Sequence, residues 1–408
     1  MLSASRRRVT AVCAALGALM ALPVGLAPGA AADDVQLQQW YLSAMKADQM
    51  WETSTGKGVK VAVIDTGVNS ATPALKGQVL ADEVPKPVAY GATKDYTGHG
   101  TSIAELIAGT GAGGSIRGIA PGAKVVPYRI ALRGLKGKSE MAKAPSIAAV
   151  IKAVADSDAK IINMSFGDDV SYDQEAEAVK YAASKGKLMF AGSGNDAETT
   201  NANLYPASYP YVVGVSAADK TGTVGKFSTH GRYVDLAAPG VDVPLWCDAT
   251  FHSYCSHGKG TSAATAVASA SAALIWSAHP KWTADQVLRA LIDTAGRDWP
   301  KDTPSNYLGY GLIRPRKVLE KTDYNPGPAH ADPLAKENSV GDAGAAPSAS
   351  ASFSAPPAKS ASGGGTSAAD GTSKSSDDTL PWVAVGTVAA LVVIGGAAFA
   401  VIRSRRRA

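Results

Sequence analysis

The chain has 408 residues, 46% hydrophobic and 18% charged, which excludes disorder throughout and allows one sizeable core. Its formal charge of +5 comes from the two ends: without Arg6, Arg7, Arg8, Arg403, Arg405, Arg406 and Arg407, residues 9–402 hold 33 basic against 35 acidic side chains. A nucleic-acid binder would carry its excess as a patch on the folded domain, so no nucleic-acid partner is expected.

Residues 1–32 read as a secretory signal peptide. Three arginines precede an apolar stretch, and Ala30-Ala31-Ala32 offers a small-residue cleavage site before Asp33. Residues 33–55 form an N-terminal extension too short to build its own core. We expect it to be retained and to wrap the next domain, with Trp40, Tyr41, Leu42 and Trp51 as anchors. The other reading is a short inhibitory peptide that is removed.

From residue 56 to 318 the chain alternates apolar runs with helical patterns. Residues 59–64, 124–130, 160–165, 187–191 and 211–216 read as strands apolar on both faces, as in a buried parallel sheet. Residues 99–108, 146–156, 172–184, 261–278 and 283–294 read as helices. This alternation predicts an α/β fold, a parallel sheet with helices on both faces.

Ligand sites in such sheets form beyond the carboxyl ends of the strands. Asp65-Thr66-Gly67 follows the first strand, Ser165-Phe166-Gly167 the third, and Gly192-Ser193-Gly194-Asn195 the fourth. Gly98-His99-Gly100-Thr101 and Gly260-Thr261-Ser262-Ala263 each open a helix. Serine is a weak nucleophile that needs a base, and the base needs an orienting carboxylate. Asp65, His99 and Ser262 are those three parts. Ser262 sits at a helix N-terminus, where free N–H groups would stabilise an oxyanion. The Asn195 amide could supply a second donor. Each has a plainer reading alone: a strand-end turn, a helix start, a small packing serine, a turn asparagine. Asp-Thr-Gly is also the aspartic-protease motif, but no second copy exists.

Together these segments resemble the subtilisin-like serine protease family. The matching stretches are residues 61–68, 98–101 and 260–262, with residues 118–121, 205–207 and 237–240 in support. The resemblance implies that Asp65 orients, His99 is the general base, Ser262 attacks and Asn195 completes the oxyanion hole. It also implies that Ser165, Phe166 and Gly167 line the substrate cleft, their backbone pairing with an extended peptide. Two positions depart from the family: Ala266 stands where a proline is usual, and Gly192-Ser193 where Ala-Ala is usual. Neither removes a catalytic atom.

Cys247 and Cys255 remain after the signal is removed, and a local disulfide is the plain reading. His252 and His257 beside them leave a Cys/His zinc site as the alternative, although the spacing fits no common pattern. No cofactor or other metal is expected.

Residues 319–381, rich in Ala, Ser, Gly and Pro towards their end, read as a flexible linker. Residues 382–402 are 21 uncharged residues, about 31 Å as a helix and enough for one transmembrane span. The basic tail, residues 403–408, should stay cytoplasmic and the catalytic domain lie outside. A cell-wall sorting signal would need Leu-Pro-x-Thr-Gly, whereas Trp382-Val383-Ala384 follows Leu380-Pro381. This layout is similar to the mycosins, the membrane-anchored proteases of type VII secretion systems. It implies protein or peptide substrates and a place beside a secretion membrane complex. The alternative is a protease-fold structural component that stabilises such a complex, with catalysis secondary.

Overall fold

The computed structural model describes residues 35–321 and 323–341. The residues read as signal peptide, transmembrane span and basic tail, and most of those read as linker, lie outside the described residues. Among the described residues no helix is long and apolar enough to cross a membrane.

The elements run in chain order as α1 (Trp40–Met45), α2 (Ala47–Thr53), β1 (Lys60–Asp65), α3 (His99–Ala108), β2 (Lys124–Arg129), α4 (Lys138–Lys143), α5 (Ile147–Ala155) and β3 (Ile161–Met164). They continue as α6 (Asp173–Ser184), β4 (Leu188–Gly192), β5 (Val212–Ala218), β6 (Leu236–Pro239), β7 (Val243–Trp246) and β8 (Tyr254–Gly258). The last are α7 (Thr261–Ala278), α8 (Ala284–Thr294), α9 (Arg316–Leu319) and α10 (Ala335–Gly341).

Six strands form one parallel sheet in the order β2-β1-β3-β4-β5-β6. Side chains alternate between its faces. Val61, Val63, Ile161, Phe190 and Val215 join the core that holds α3, α7 and α8. Ala62, Ile64, Ile162, Met164 and Met189 join the core that holds α5 and α6. Both faces are covered, which is why these strands read as continuous apolar runs.

Helix α7 crosses the sheet through the centre of the protein and is buried nearly all round. Alanine and serine on most of its surface let it approach the strands closely. Its hydroxyls are satisfied locally: Thr265 and Ser271 each donate to the carbonyl four residues back. Helix α8 begins with a capping box, Thr283 and Gln286 bonding each other's backbone N–H.

Residues 35–54 lie across the α3 and α7 side. Tyr41 and Met50 are fully buried. Trp51 Nε1 donates to the Ile119 carbonyl at 2.8 Å and Trp40 Nε1 to the Val241 carbonyl at 3.0 Å. Gln39 exchanges two hydrogen bonds with the backbone of Arg117, at 2.8 and 2.9 Å.

The linker expected over residues 319–381 needs correction at its start. Leu319, Leu334 and Asn338 are buried. Gln286 Nε2 donates to the Gly327 carbonyl at 2.9 Å, and the Tyr211 N–H donates to Asn338 Oδ1 at 2.7 Å. Residues 323–341 are therefore a strap fastened over α8. Leu334 and Asn338 are its buried anchors, and the carbonyls of Gly327, Ala329 and Ala331 accept from the side chains of Gln286, Thr283 and Arg289.

Candidate active site

Asp65 ends β1 with a fully buried carboxylate, and His99 opens α3 with a side chain that is about one third exposed (35%). Asp65 Oδ1 lies 2.7 Å from His99 Nδ1 and also accepts from the Thr66 N–H at 2.7 Å. A carboxylate on Nδ1 assigns the proton there and leaves Nε2 as the basic nitrogen. Gly100 permits this approach: a Cβ there would sit 2.2 Å from the Gly67 carbonyl oxygen and 3.1 Å from Asp65 Cβ.

A second carboxylate supports the pair. Asp95 Oδ1 accepts from Thr66 Oγ1 at 2.8 Å, the Thr97 N–H at 3.0 Å and the Gly98 N–H at 2.9 Å. Asp95 Oδ2 accepts from the Thr101 N–H at 2.8 Å and its hydroxyl at 2.7 Å. Asp95 thus ties the loop after β1 to the first turn of α3. Burial pulls the His99 pKa down. The charge of Asp65, its hydrogen bond and the charge of Asp95 outweigh that, so the net shift is upward.

Ser262 is the second residue of α7. Its hydroxyl donates to the Ser165 carbonyl at 3.0 Å, and the Ser165 hydroxyl donates to the Ser262 carbonyl at 3.0 Å. Asn195 Oδ1 accepts from the Thr261 N–H at 2.9 Å and the Thr261 hydroxyl at 3.2 Å. That fixes which end of the amide is oxygen and turns Nδ2 the other way. A Cβ placed on Gly260 would stand 3.8 Å from Nδ2 and Oδ1 of Asn195 and from the Ser262 nitrogen, so the Asn195 amide and the Ser262 N–H border one small space. Such a pair at the start of an 18-residue helix can stabilise a developing oxyanion.

Residues 165–167 run on from β3 along this space. Gly167 is exposed, while the Phe166 ring packs against the core beneath. Among the described residues, no backbone hydrogen bond engages Phe166 or Gly167. The segment can present backbone, not the Phe166 side chain, to an extended peptide.

Cys247 and Cys255 are bonded to each other, with Cα atoms 5.1 Å apart. They close the β7–β8 hairpin, which seats against the start of α3. The Trp246 N–H donates to Ser102 Oγ at 2.9 Å, and Ser102 Oγ donates to the Gly98 carbonyl at 2.8 Å. No group of three metal-ligating side chains occurs among the described residues.

Sequence reading missed two contributors. Asp95 lies four residues before His99, an acidic residue near a helix start, which is a capping signal. Asn163 is an amide inside the apolar strand Ile161–Met164, and its Nδ2 donates to Ser165 Oγ at 2.9 Å.

A family profile described as "Subtilase family" matches residues 56–311. Fervidolysin from Fervidobacterium pennivorans is 32% identical over 321 residues, covering 71% of this chain and 44% of the relative. This chain therefore spans less than half of fervidolysin's length. Subtilisin BL from Lederbergia lenta is 33% identical over 276 residues, covering 67% of this chain and 96% of the relative. Among solved structures, the MycP3 protease from the type VII (ESX-3) secretion system matches with a TM-score of 0.59 at 28% identity. That match covers 70% of this chain and 88% of the other.

Proposed function

The chain belongs to the subtilase family of serine proteases, and from that premise we propose that it is a membrane-anchored serine endopeptidase acting outside the cytoplasm, beside a type VII secretion complex. Ser262 Oγ attacks the carbonyl carbon of a peptide bond while His99 Nε2 takes its proton. Asp65 holds the ring and stabilises the imidazolium that forms. The tetrahedral oxyanion is received by Asn195 Nδ2 and the Ser262 N–H. Collapse expels the amine, protonated by His99. Water then attacks the acyl-enzyme with the same base, releasing the acid and restoring the serine.

The observation that carries this reading is the 2.7 Å contact of His99 Nδ1 with buried Asp65 Oδ1. It leaves the opposite ring nitrogen free to serve as a base. Before attack the Ser262 hydroxyl must leave the Ser165 carbonyl, a rotation about one side-chain bond. The secretion-system role is supported by the likeness to the MycP3 structure and by the signal, linker and apolar span read from the sequence.

The test is fluorophosphonate labelling of the full-length protein and its Ser262→Ala variant, weighed intact. One adduct on the wild type and none on the variant is the expected result. A folded wild type that takes no adduct refutes the reading. If Ser262→Ala cells keep full secretion while cells lacking the protein do not, the structural role outranks catalysis.

A further inference from the structure

The segment that follows β2 concentrates positive charge. Residues 129–143 hold five basic side chains, Arg129, Arg133, Lys136, Lys138 and Lys143, and one acidic, Glu140. The acid is already engaged. Buried Arg129 donates to Glu140 Oε2 at 3.2 Å, and the Tyr90 hydroxyl donates to its Oε1 at 2.7 Å. Lys143 comes no nearer to Oε1 than 3.9 Å. Among the described residues, Arg133, Lys136 and Lys138 enter no ion pair, and all three are exposed. Met141, one turn along α4 from Lys138, is also exposed. Residues 9–402 as a whole carry slightly more acid than base, so this excess is local.

The charged segment is fixed beside the catalytic base. The Leu132 N–H donates to the Tyr96 hydroxyl at 2.8 Å, and that hydroxyl donates to the Ile130 carbonyl at 3.0 Å. The Arg129 guanidinium lies 5.4 and 5.2 Å from the ring centres of Tyr90 and Tyr96. Arg129 is the register partner of Asp65 where β1 and β2 end, so the segment leaves the sheet level with that carboxylate. A Cβ on Gly134 would lie 3.1 Å from Thr97 Cγ2, and Thr97 stands two residues before His99.

Like charges held together on one surface repel, and a cluster without compensating acids stabilises nothing in the fold. It does raise the local concentration of anionic partners and speeds their encounter, by about 10-fold or more at low salt. The polyanion brought to this rim by the reaction itself is the polypeptide being cleaved.

We infer that Arg133, Lys136 and Lys138 form an exosite that captures an acidic segment of the substrate polypeptide, outside the residues that span the scissile bond. The inference rests on the endopeptidase reading and adds a substrate class to it.

The test uses the full-length protein in detergent and three quenched substrates built on one cleavable core. One is the core alone, one carries eight glutamates on each side of it, and one carries glutamines in their place. At low salt the glutamate substrate should exceed the glutamine substrate about 10-fold in kcat/KM. That advantage should vanish at 1 M salt, where charges are screened within about 3 Å. The triple variant Arg133→Glu, Lys136→Glu, Lys138→Glu should lose the advantage and cleave the core alone at the wild-type rate. The corresponding triple glutamine variant serves if the reversal does not fold, and should keep only a fraction of the advantage. Thermal melting and fluorophosphonate labelling establish that each variant is folded and its serine active. A labelled wild type that cleaves the glutamate and glutamine substrates equally overturns the inference and leaves the endopeptidase reading standing. So does a triple variant that slows on all three substrates alike. Anionic vesicles that shield these lysines from acetylation, with glutamate-substrate cleavage unchanged in the variant, overturn it in favour of a lipid surface. A folded wild type that takes no label overturns the endopeptidase reading, and this inference with it.

Discussion

The Ser262 hydroxyl donates to the Ser165 carbonyl across 3.0 Å, and the Ser165 hydroxyl returns a bond to the Ser262 carbonyl at the same distance. Behind this pair, Asn163 Nδ2 donates to Ser165 Oγ at 2.9 Å and Ser269 Oγ donates to Asn163 Oδ1 at 3.0 Å. A polar chain thus joins the middle of α7 to the residue at its mouth through the strand between them. In a buried setting such a chain fixes geometry while every member is satisfied, and is costly once one is not.

Ser165→Ala should therefore do more than remove a hydroxyl. It leaves the buried Asn163 Nδ2 without its acceptor, at a cost of about 1–3 kcal/mol. It also removes the hydrogen bond that the Ser262 carbonyl accepts from the Ser165 hydroxyl. We expect a lower melting temperature, together with a fall in kcat larger than any change in KM. Wild-type stability and kcat in this variant would show that the chain does not position the nucleophile.

The pH dependence should follow His99. Its pKa lies above the ordinary 6.5, because Asp65 and Asp95 outweigh burial. The general base must be neutral, so kcat/KM should rise with a midpoint above about 6.5. The charged pair contributes stability that is fully present below about pH 6.5 and is lost as pH rises through the folded value. Asp95→Asn removes one of the raising charges while keeping an acceptor oxygen. The acidic limb of its kcat/KM profile should move to lower pH. An unmoved limb would reduce Asp95 to a structural tie.

Much of this architecture is legible because burial on both faces writes strands as continuous apolar runs. The five strands read from the sequence agree with β1–β5 to within two residues at each end. The five long helices agree to within one residue. Strand β6 escapes such reading because Leu236–Pro239 is only four residues, two of them alanine and the last a proline. The hairpin escapes it because Tyr254–Gly258 is largely exposed and carries no apolar alternation. The short helices α1 and α2 are interrupted by Lys46 at φ 58°, so neither shows a full helical period. The residues of the site are legible in part for a similar reason. Asp65, His99, Ser262 and Asn195 sit at strand ends and helix starts, where local sequence announces them. Asn163 acts in part through Ser269, 106 residues away, and Asp95 in part through Thr66, 29 residues away, and no spacing rule reveals those two contacts.

The Cys247–Cys255 bond closes a short loop and should contribute about 2–3 kcal/mol by restricting the unfolded chain. Its functional effect should exceed that share. A Cβ on Gly98 would lie 2.6 Å from the Asp248 carbonyl oxygen, so the loop abuts the residue before His99. The paired Cys247→Ser and Cys255→Ser variant should melt lower and lose kcat at temperatures where it is still fully folded. Reductant should reproduce both effects in the wild type and neither in the variant. Full activity in the folded variant would mean that Ser102 alone seats the hairpin.

Glu105 gives the clearest electrostatic prediction, because it is a carboxyl buried under that same hairpin. Burial pushes its pKa from 4.5 up to about 7, against the pull of the polar groups facing it on Thr72, Trp246 and Tyr254. Tyr254 donates to Oε2 at 2.9 Å, while Oε1 has no partner among the described residues. Tyr41 and Tyr254 are the titratable groups facing it, and both have pKa values raised, so they stay neutral as it titrates. The folded protein holds this proton more tightly than the unfolded chain does. Its contribution is therefore present below about pH 4.5 and is lost as pH rises towards 7, a difference of about 3 kcal/mol. Glu105→Gln keeps the shape and an acceptor for Tyr254 but has no charge to bury. Denaturant unfolding should find the variant equal to wild type near pH 4.5 and more stable by roughly that amount at pH 8. A stability difference that does not change between those pH values would mean that Glu105 is already ionised in the folded protein under acid conditions.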